Sequence, residues 1–466
     1  MLAPLLTTPY VARILGAHAN GINTYTNGWV TFFCLFGQLG VGLYGNREIA
    51  YCQDDLKKRS QVFWEVWSIQ VAASVVSLAA YLFAVAVFSS TFKYFFLLQS
   101  LYIVGGALDI SWYFMGIEDF KKIVVRNACV KLVSIGLIFL LVRSPQDLSK
   151  YIFLLGGSSL LGTLSLWPYL KGQIELVPLS DLHPVQHLYP TILLFIPTIA
   201  TQIYLVVNRI MLGRMSTQDA VSQFDFGDKM IKLALSLVTA VGTVMLPHIA
   251  NKFAEGDQAS VHRSLVKSFD FCTALAVPIM FGLMAISVKF APWFLGHEYG
   301  PTSKVIFYEA PVVVFIAWSN VTGTQYLMPV HREKAFTFSV TIGAIINVLA
   351  NILLIPTHGV SGAAIATVIS EASVCVTQLI MMRNSFRIQQ LFSALWKYLL
   401  AGGAMYLVVV RLNEIMRMTL ANLAAQITIG IVIYLVIIWL LKPPVVKSLM
   451  NTAAPVIKSK ISGRKS

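Results

Sequence analysis

Charge is what this chain carries least of. Asp, Glu, Lys and Arg together make up 12% of its 466 residues, about half the share of a soluble globular protein. Acids are scarcer still, 21 against 35 basic residues. No long polar segment interrupts the chain, which leaves no room for a soluble catalytic domain. The five cysteines (Cys34, Cys52, Cys129, Cys272, Cys375) show no paired spacing and say nothing about redox compartment. A free Cys inside an apolar run is simply a small apolar residue. There is no Walker A loop, so this chain hydrolyses no ATP by that route.

What is abundant is apolar surface. Hydrophobic residues make up 57% of the chain, and the mean hydropathy is +0.72. A spanning helix needs about 20 mostly apolar residues. Stretches 66–88, 151–170, 335–357 and 418–441 reach that scale without one charge. Allowing a few charges, the runs predict spans at 24–44, 62–88, 92–114, 122–142, 150–170, 188–212, 223–246, 267–288, 304–327, 334–355, 360–382, 394–412 and 419–441. Barrel strands are about ten residues long and alternate in polarity, so the expectation is an all-α integral membrane protein. The opening MLAPLLTTPYVARILG lacks the basic flank and cleavage site of a signal peptide. It reads as the second half of a first helix, a truncated fourteenth span. With the C-terminus inside, 22 of the 35 basic residues fall in inside segments and nine outside. That asymmetry predicts cytoplasmic ends and accounts for most of the net charge of +14.

The chain repeats. Thr8 to Gly16 pairs with Val206 to Gly213, which sets Arg13 opposite Arg209; Gly42 to Ala50 pairs with Gly242 to Ala250. Six spans per repeat is an even number, so the halves are parallel repeats of a transporter. The expected divisions are a six-helix lobe at 1–170, a cytoplasmic linker at 171–187, a second six-helix lobe at 188–383, a further helix pair at 392–441 and a basic cytoplasmic tail at 442–466. Prolines 190, 197, 247, 278, 311 and 329 are the expected bends.

Several motifs have ordinary explanations. Gly40-Val-Gly-Leu-Tyr-Gly45 ends a span, whereas the dinucleotide fingerprint needs a strand before it. His183 and His187 flank Pro184 without a third ligand, which argues against zinc. No cofactor and no metal are expected. Charges inside spans carry more information, since a central one costs about 2.5–3.5 kcal/mol on insertion scales. Arg13, Arg209, Lys229 and Lys232 are the candidates for a cavity that holds an anion. The guanidinium pair leads because its planar fork suits phosphate. Against this, the arginines could snorkel to the interface, and Lys232 could pair with Asp228 one turn earlier. Asp109, Glu309 and Glu371 are the candidates for a coupling proton or Na⁺.

The segments Asp109 to Lys122, Thr8 to Gly16, Leu194 to Gly213 and Gly242 to Ala250, in that family's order, resemble bacterial polysaccharide and O-antigen repeat-unit flippases. These belong to the multidrug/oligosaccharidyl-lipid/polysaccharide exporter superfamily. The likeness runs from Thr8 to about Met382. It implies a two-lobed carrier of twelve to fourteen helices in the bacterial plasma membrane that moves an undecaprenyl-pyrophosphate-linked oligosaccharide to the outer leaflet. A polymerase and its chain-length machinery would be its partners. His248 and Asn208-Arg209 depart from the family pattern. The rival expectations are a drug or cation antiporter of the same superfamily, a non-transporting scaffold for glycan assembly, and a membrane glycosyltransferase.

Overall fold

The computed structural model describes residues 3–88, 91–255, 257–384 and 386–447; side chains 3–5, 196–198, 200–205, 241–250 and 254 are outside the description. The segment Gly242 to Ala250 with Pro247 and His248, Pro197, and the tail beyond 447 therefore lie outside the described side chains. The described residues are helical and contain no strand. Each expected span falls on a helix or a run of helices. Among the described residues, ten helices are long and apolar enough to cross a membrane, and a bent pair, His297–Glu309 with Val312–Leu327, makes eleven. The two further expected spans lie on helices with residues outside the description.

The chain divides into two compact units, Met1–Ser222 and Gln223–Ser466, so the division falls after the segment 171–187. The first unit holds α1 (Ala3–Gln38), α2 (Val41–Tyr51), α3 (Leu56–Phe88), α4 (Lys93–Gln99), α5 (Leu101–Ala107), α6 (Ser111–Gly116), α7 (Phe120–Leu141), α8 (Leu148–Leu164) and α9 (Val185–Met215). Helix α10 (Gln218–Ala254) begins in it. Helix α1 is two arms joined at Gly16, whose φ of 75° and ψ of 176° belong to a region open essentially to glycine alone. The break falls at the end of the matched segment Thr8 to Gly16; its partner segment, Val206 to Gly213, ends just before the break between α9 and α10.

The span helices are built outside-in relative to a soluble protein. Helix α3 buries Ser60, Glu65, Gln70, Ser74 and Ser77 and exposes Val75, Val76, Phe83 and Val87. Lipid is as apolar as Leu, so polar groups and close packing hold membrane helices together. Accordingly Ser74 donates to the Gly37 carbonyl at 3.1 Å and Ser77 to Phe33 at 2.6 Å. The first arm of α1 packs Val11 and Leu15 against Ile138, Val142 and Ile152. The second arm receives α9, and the approach is close: a Cβ on Gly213 would stand 2.1 Å from the Tyr25 ring. Gly213→Val is therefore expected to cost about 2 kcal/mol by overpacking. Thermal unfolding of the purified protein should show the loss, and Tyr25→Ala in the same chain should relieve most of it.

The second unit holds the rest of α10, then α11 (Gln258–Leu295), α12 (Thr302–Glu309), α13 (Val312–Ser319), a π-helical stretch (Asn320–Leu327), α14 (Glu333–His358), α15 (Val360–Met382), α16 (Leu395–Ile415) and α17 (Leu420–Leu441). Asp257 caps α11 by accepting from the Ser260 N–H at 2.9 Å, and that bond together with the Ser260 hydroxyl holds its carboxyl below the usual range. Phe269 and Trp318 stack at 5.6 Å in the core. The last helix pair is bound to this core: Tyr398 of α16 donates to Asp270 of α11 at 2.9 Å, and Tyr434 of α17 to the Ala274 carbonyl at 2.8 Å.

Candidate functional site

The structure sorts the span charges into three groups. The first is the arginine pair. Arg13 is exposed on the first arm of α1, three residues before the break. Arg209 is half-buried on α9, its Cβ 3.5 Å from where a Cβ on Gly28 would lie. The repeat register expects one on each lobe; in the structure both fall in the unit Met1–Ser222, because α9 packs along the second arm of α1.

The second group is the lysines, both in the second unit. Lys229 Nζ lies 2.6 Å from Asp225 and Lys232 Nζ lies 2.6 Å from Asp228, each one helical turn away. The carboxylates are buried and the ammonium groups are half exposed. Each lysine is thus neutralised by its own helix.

The third group is the acids. Asp109 sits at the turn between α5 and α6, where it accepts from the Ser111 N–H at 3.0 Å and from the Ser111 hydroxyl. Arg126 stands 3.9 Å away. Asp109 also lines a 350 Å³ cavity with Gln38, Asn46 and Gln70. Glu309, at the end of α12, is fully buried, and among the described residues neither carboxyl oxygen meets a hydrogen-bond donor. The charged groups around it are Asp228 and Lys232 of α10 and Glu371 of α15. Glu371 is itself buried. The fold therefore brings Glu309 and Glu371 together and leaves Asp109 in the other unit. Among the described residues, no three His, Cys, Asp or Glu side chains form a set that could hold a metal ion.

Sequence reasoning misses one further cluster. Glu65 of α3 accepts from Gln61 at 2.9 Å, from the His183 N–H at 2.8 Å and from Gln186 at 3.1 Å. His187 Nε2 lies 2.7 Å from Glu65, and its Nδ1 lies 2.6 Å from the Tyr44 hydroxyl. All three principal groups are buried. The network fastens the first turn of α9 to α2 and α3. The His183/His187 spacing was the visible signal; the acid they answer to lies far upstream in the sequence.

The described helices form a multi-pass membrane body, and solved structures share its fold. Over 94% of its length the chain matches 96% of the lipid II flippase MurJ in an inward closed conformation, with a TM-score of 0.78 at 18% identity. It also matches an inward-facing multidrug resistance MATE family transporter of the MOP superfamily over 85% of this chain and 96% of that one, with a TM-score of 0.61 at 12% identity. The chain belongs to the polysaccharide biosynthesis protein family, whose profile matches residues 1–253. Among curated relatives, the "Putative O-antigen transporter" of Shigella dysenteriae is 25% identical over 389 residues, 81% of this chain and 95% of that protein.

Proposed function

We propose that this chain is a flippase for undecaprenyl-pyrophosphate-linked oligosaccharide repeat units, moving them from the inner to the outer leaflet of the bacterial plasma membrane. It acts as a carrier and not as an enzyme, in the assembly of O-antigen, capsule or exopolysaccharide. The observation that carries this reading is similarity in sequence over 81% of the chain to a "Putative O-antigen transporter", together with likeness in fold over 94% of it to a lipid II flippase. Both termini face the cytoplasm in this reading, and a polymerase with its chain-length machinery takes the product outside.

The diphosphate head falls first to Arg13 and Arg209, whose forks suit two phosphates. Lys229 and Lys232 come second, because an ammonium lacks that planar fork. Glu309, faced by Asp228 and Glu371, carries the coupling proton: a buried carboxyl without donors is far cheaper to hold neutral than ionised. Asp109 serves the cavity it lines. The same acids are the one feature that favours a cation antiporter, but Glu309 is fully buried and offers no surface to an organic cation.

The Arg13→Ala, Arg209→Ala double variant tests the head-group assignment. Loss of two charge-assisted contacts, each worth about 1.5–3 kcal/mol, should lower flipping by at least about tenfold while insertion and thermal stability hold. Unchanged flipping would remove both arginines from the substrate path.

A further inference from the structure

We propose that a second cavity, wholly within the first unit, is a binding site for a phosphate-bearing lipid, with Arg214 and Gln218 taking the head and Tyr25, Trp29, Tyr81 and Phe96 the chain. The cavity has a volume of 530 Å³ and is walled by the second arm of α1, by α3 and α4, and by the residues joining α9 to α10. Its body is aromatic. Tyr25 packs edge-on to Phe96 at 6.0 Å, and Phe33 to Tyr81 at 5.3 Å. The Tyr81 hydroxyl is spent on the Phe96 carbonyl at 2.7 Å, so Tyr81 presents a ring to the cavity rather than a donor. These rings offer apolar faces to a chain.

One end is different. Arg214 is exposed and has no hydrogen bond or ion pair among the described residues. The nearest acid in sequence, Asp219, is engaged by His18 at 2.9 Å. Gln218 uses its Nε2 on the Gly213 carbonyl at 3.4 Å, while its Oε1 is buried without a partner. A buried acceptor left unmatched is uncommon and costs free energy. A free guanidinium beside an unmatched acceptor calls for a group with both an anionic oxygen and a hydroxyl. A phosphate monoester, or a phosphate joined to a hydroxyl-bearing head, supplies both. The apolar body and the polar end together specify an amphiphile.

Arg13 and Arg209 are not among the residues that line this cavity. By the Lys and Arg distribution the Arg214 end faces outside. Only in assigning the ligand to the transported lipid does the inference rest on the flippase reading.

The test uses the purified full chain with a photoactivatable short-chain polyprenyl phosphate, crosslinks being mapped to peptides carrying Trp29 and Tyr81. The matching polyprenol and phosphatidylglycerol serve as competitors. The phosphate form should bind at least about tenfold more tightly than the polyprenol, and Arg214→Gln should erase that difference. Arg214→Gln has no internal partner to lose, so it should fold; Trp29→Ala should weaken phosphate and polyprenol alike. Equal competition by phosphatidylglycerol assigns the site to a bilayer lipid, and failure to compete assigns it to the polyprenyl lipid; either outcome supports the site. Polyprenol binding as well as the phosphate, or Arg214→Gln changing nothing, overturns it. Binding is read without transport, so absent flipping with intact crosslinking counts against the flippase reading and not against the site.

Discussion

Glu309→Gln is expected to give a folded, inserted protein whose transport falls about a hundredfold or more. Glu309 is fully buried with, among the described residues, no donor at either oxygen and a second carboxylate, Asp228, beside it. Holding an ionised carboxylate there costs several kcal/mol, so the neutral form fits the packed state, and Gln is its neutral isostere. What Gln lacks is a proton to release. When Glu309 ionises it meets Asp228 and Glu371, with Lys232 already committed to Asp228 at 2.6 Å. The repulsion must be relieved by movement, and about 2.7 kcal/mol of such bias already equals a hundredfold in population. Flipping in proteoliposomes with an imposed proton gradient measures the effect, with thermal unfolding as the folding control. Glu309→Asp should retain part of the activity. Wild-type transport by Glu309→Gln would remove the carboxyl from coupling.

Glu65→Ala is expected to have the largest effect on stability, about 3–5 kcal/mol. The substitution removes the common acceptor of Gln61, the His183 N–H, Gln186 and His187, all within 3.1 Å of a carboxylate that is 1% exposed. Donors left buried without a partner cost about 1–3 kcal/mol each. Water reaching the gap recovers part of that, so the sum stays below a simple addition. Glu65→Gln should cost less, because an amide keeps one acceptor oxygen. Combined with His187→Ala, the loss should be smaller than the sum of the two single losses, as for any pair in one network. Hydrogen exchange should rise in the first turn of α9, where His187 anchors the helix. A loss below about 1 kcal/mol would show that the network is not a clamp.

Run length made the helices legible. Every expected span falls on a helix, because in lipid a backbone must satisfy itself and a long apolar run has few alternatives. The pairing of Lys232 with Asp228 was legible too, being a one-turn relation. What sequence could not supply was anything joined across the fold. Glu309 and Asp228 meet only because α12 packs beside α10, and nothing in their spacing announces it. His187 reads as half of a linker histidine pair until α3 delivers Glu65 to it. Arg214 counts in the sequence only as one outside charge; its meaning comes from the cavity and from the unmatched oxygen of Gln218. The repeat placed Arg13 and Arg209 on separate halves, and the close glycine packing of α9 on α1 is what puts them in one unit.

The most direct test of the central claim is flipping itself. The full chain is reconstituted in proteoliposomes with a lipid-linked oligosaccharide in the inner leaflet, and a sugar-modifying enzyme is added outside. The account predicts protein-dependent loss of protection that is reduced by the Arg13→Ala, Arg209→Ala double variant. Protection that persists with correctly inserted protein, while a radiolabelled organic cation crosses instead, would contradict it.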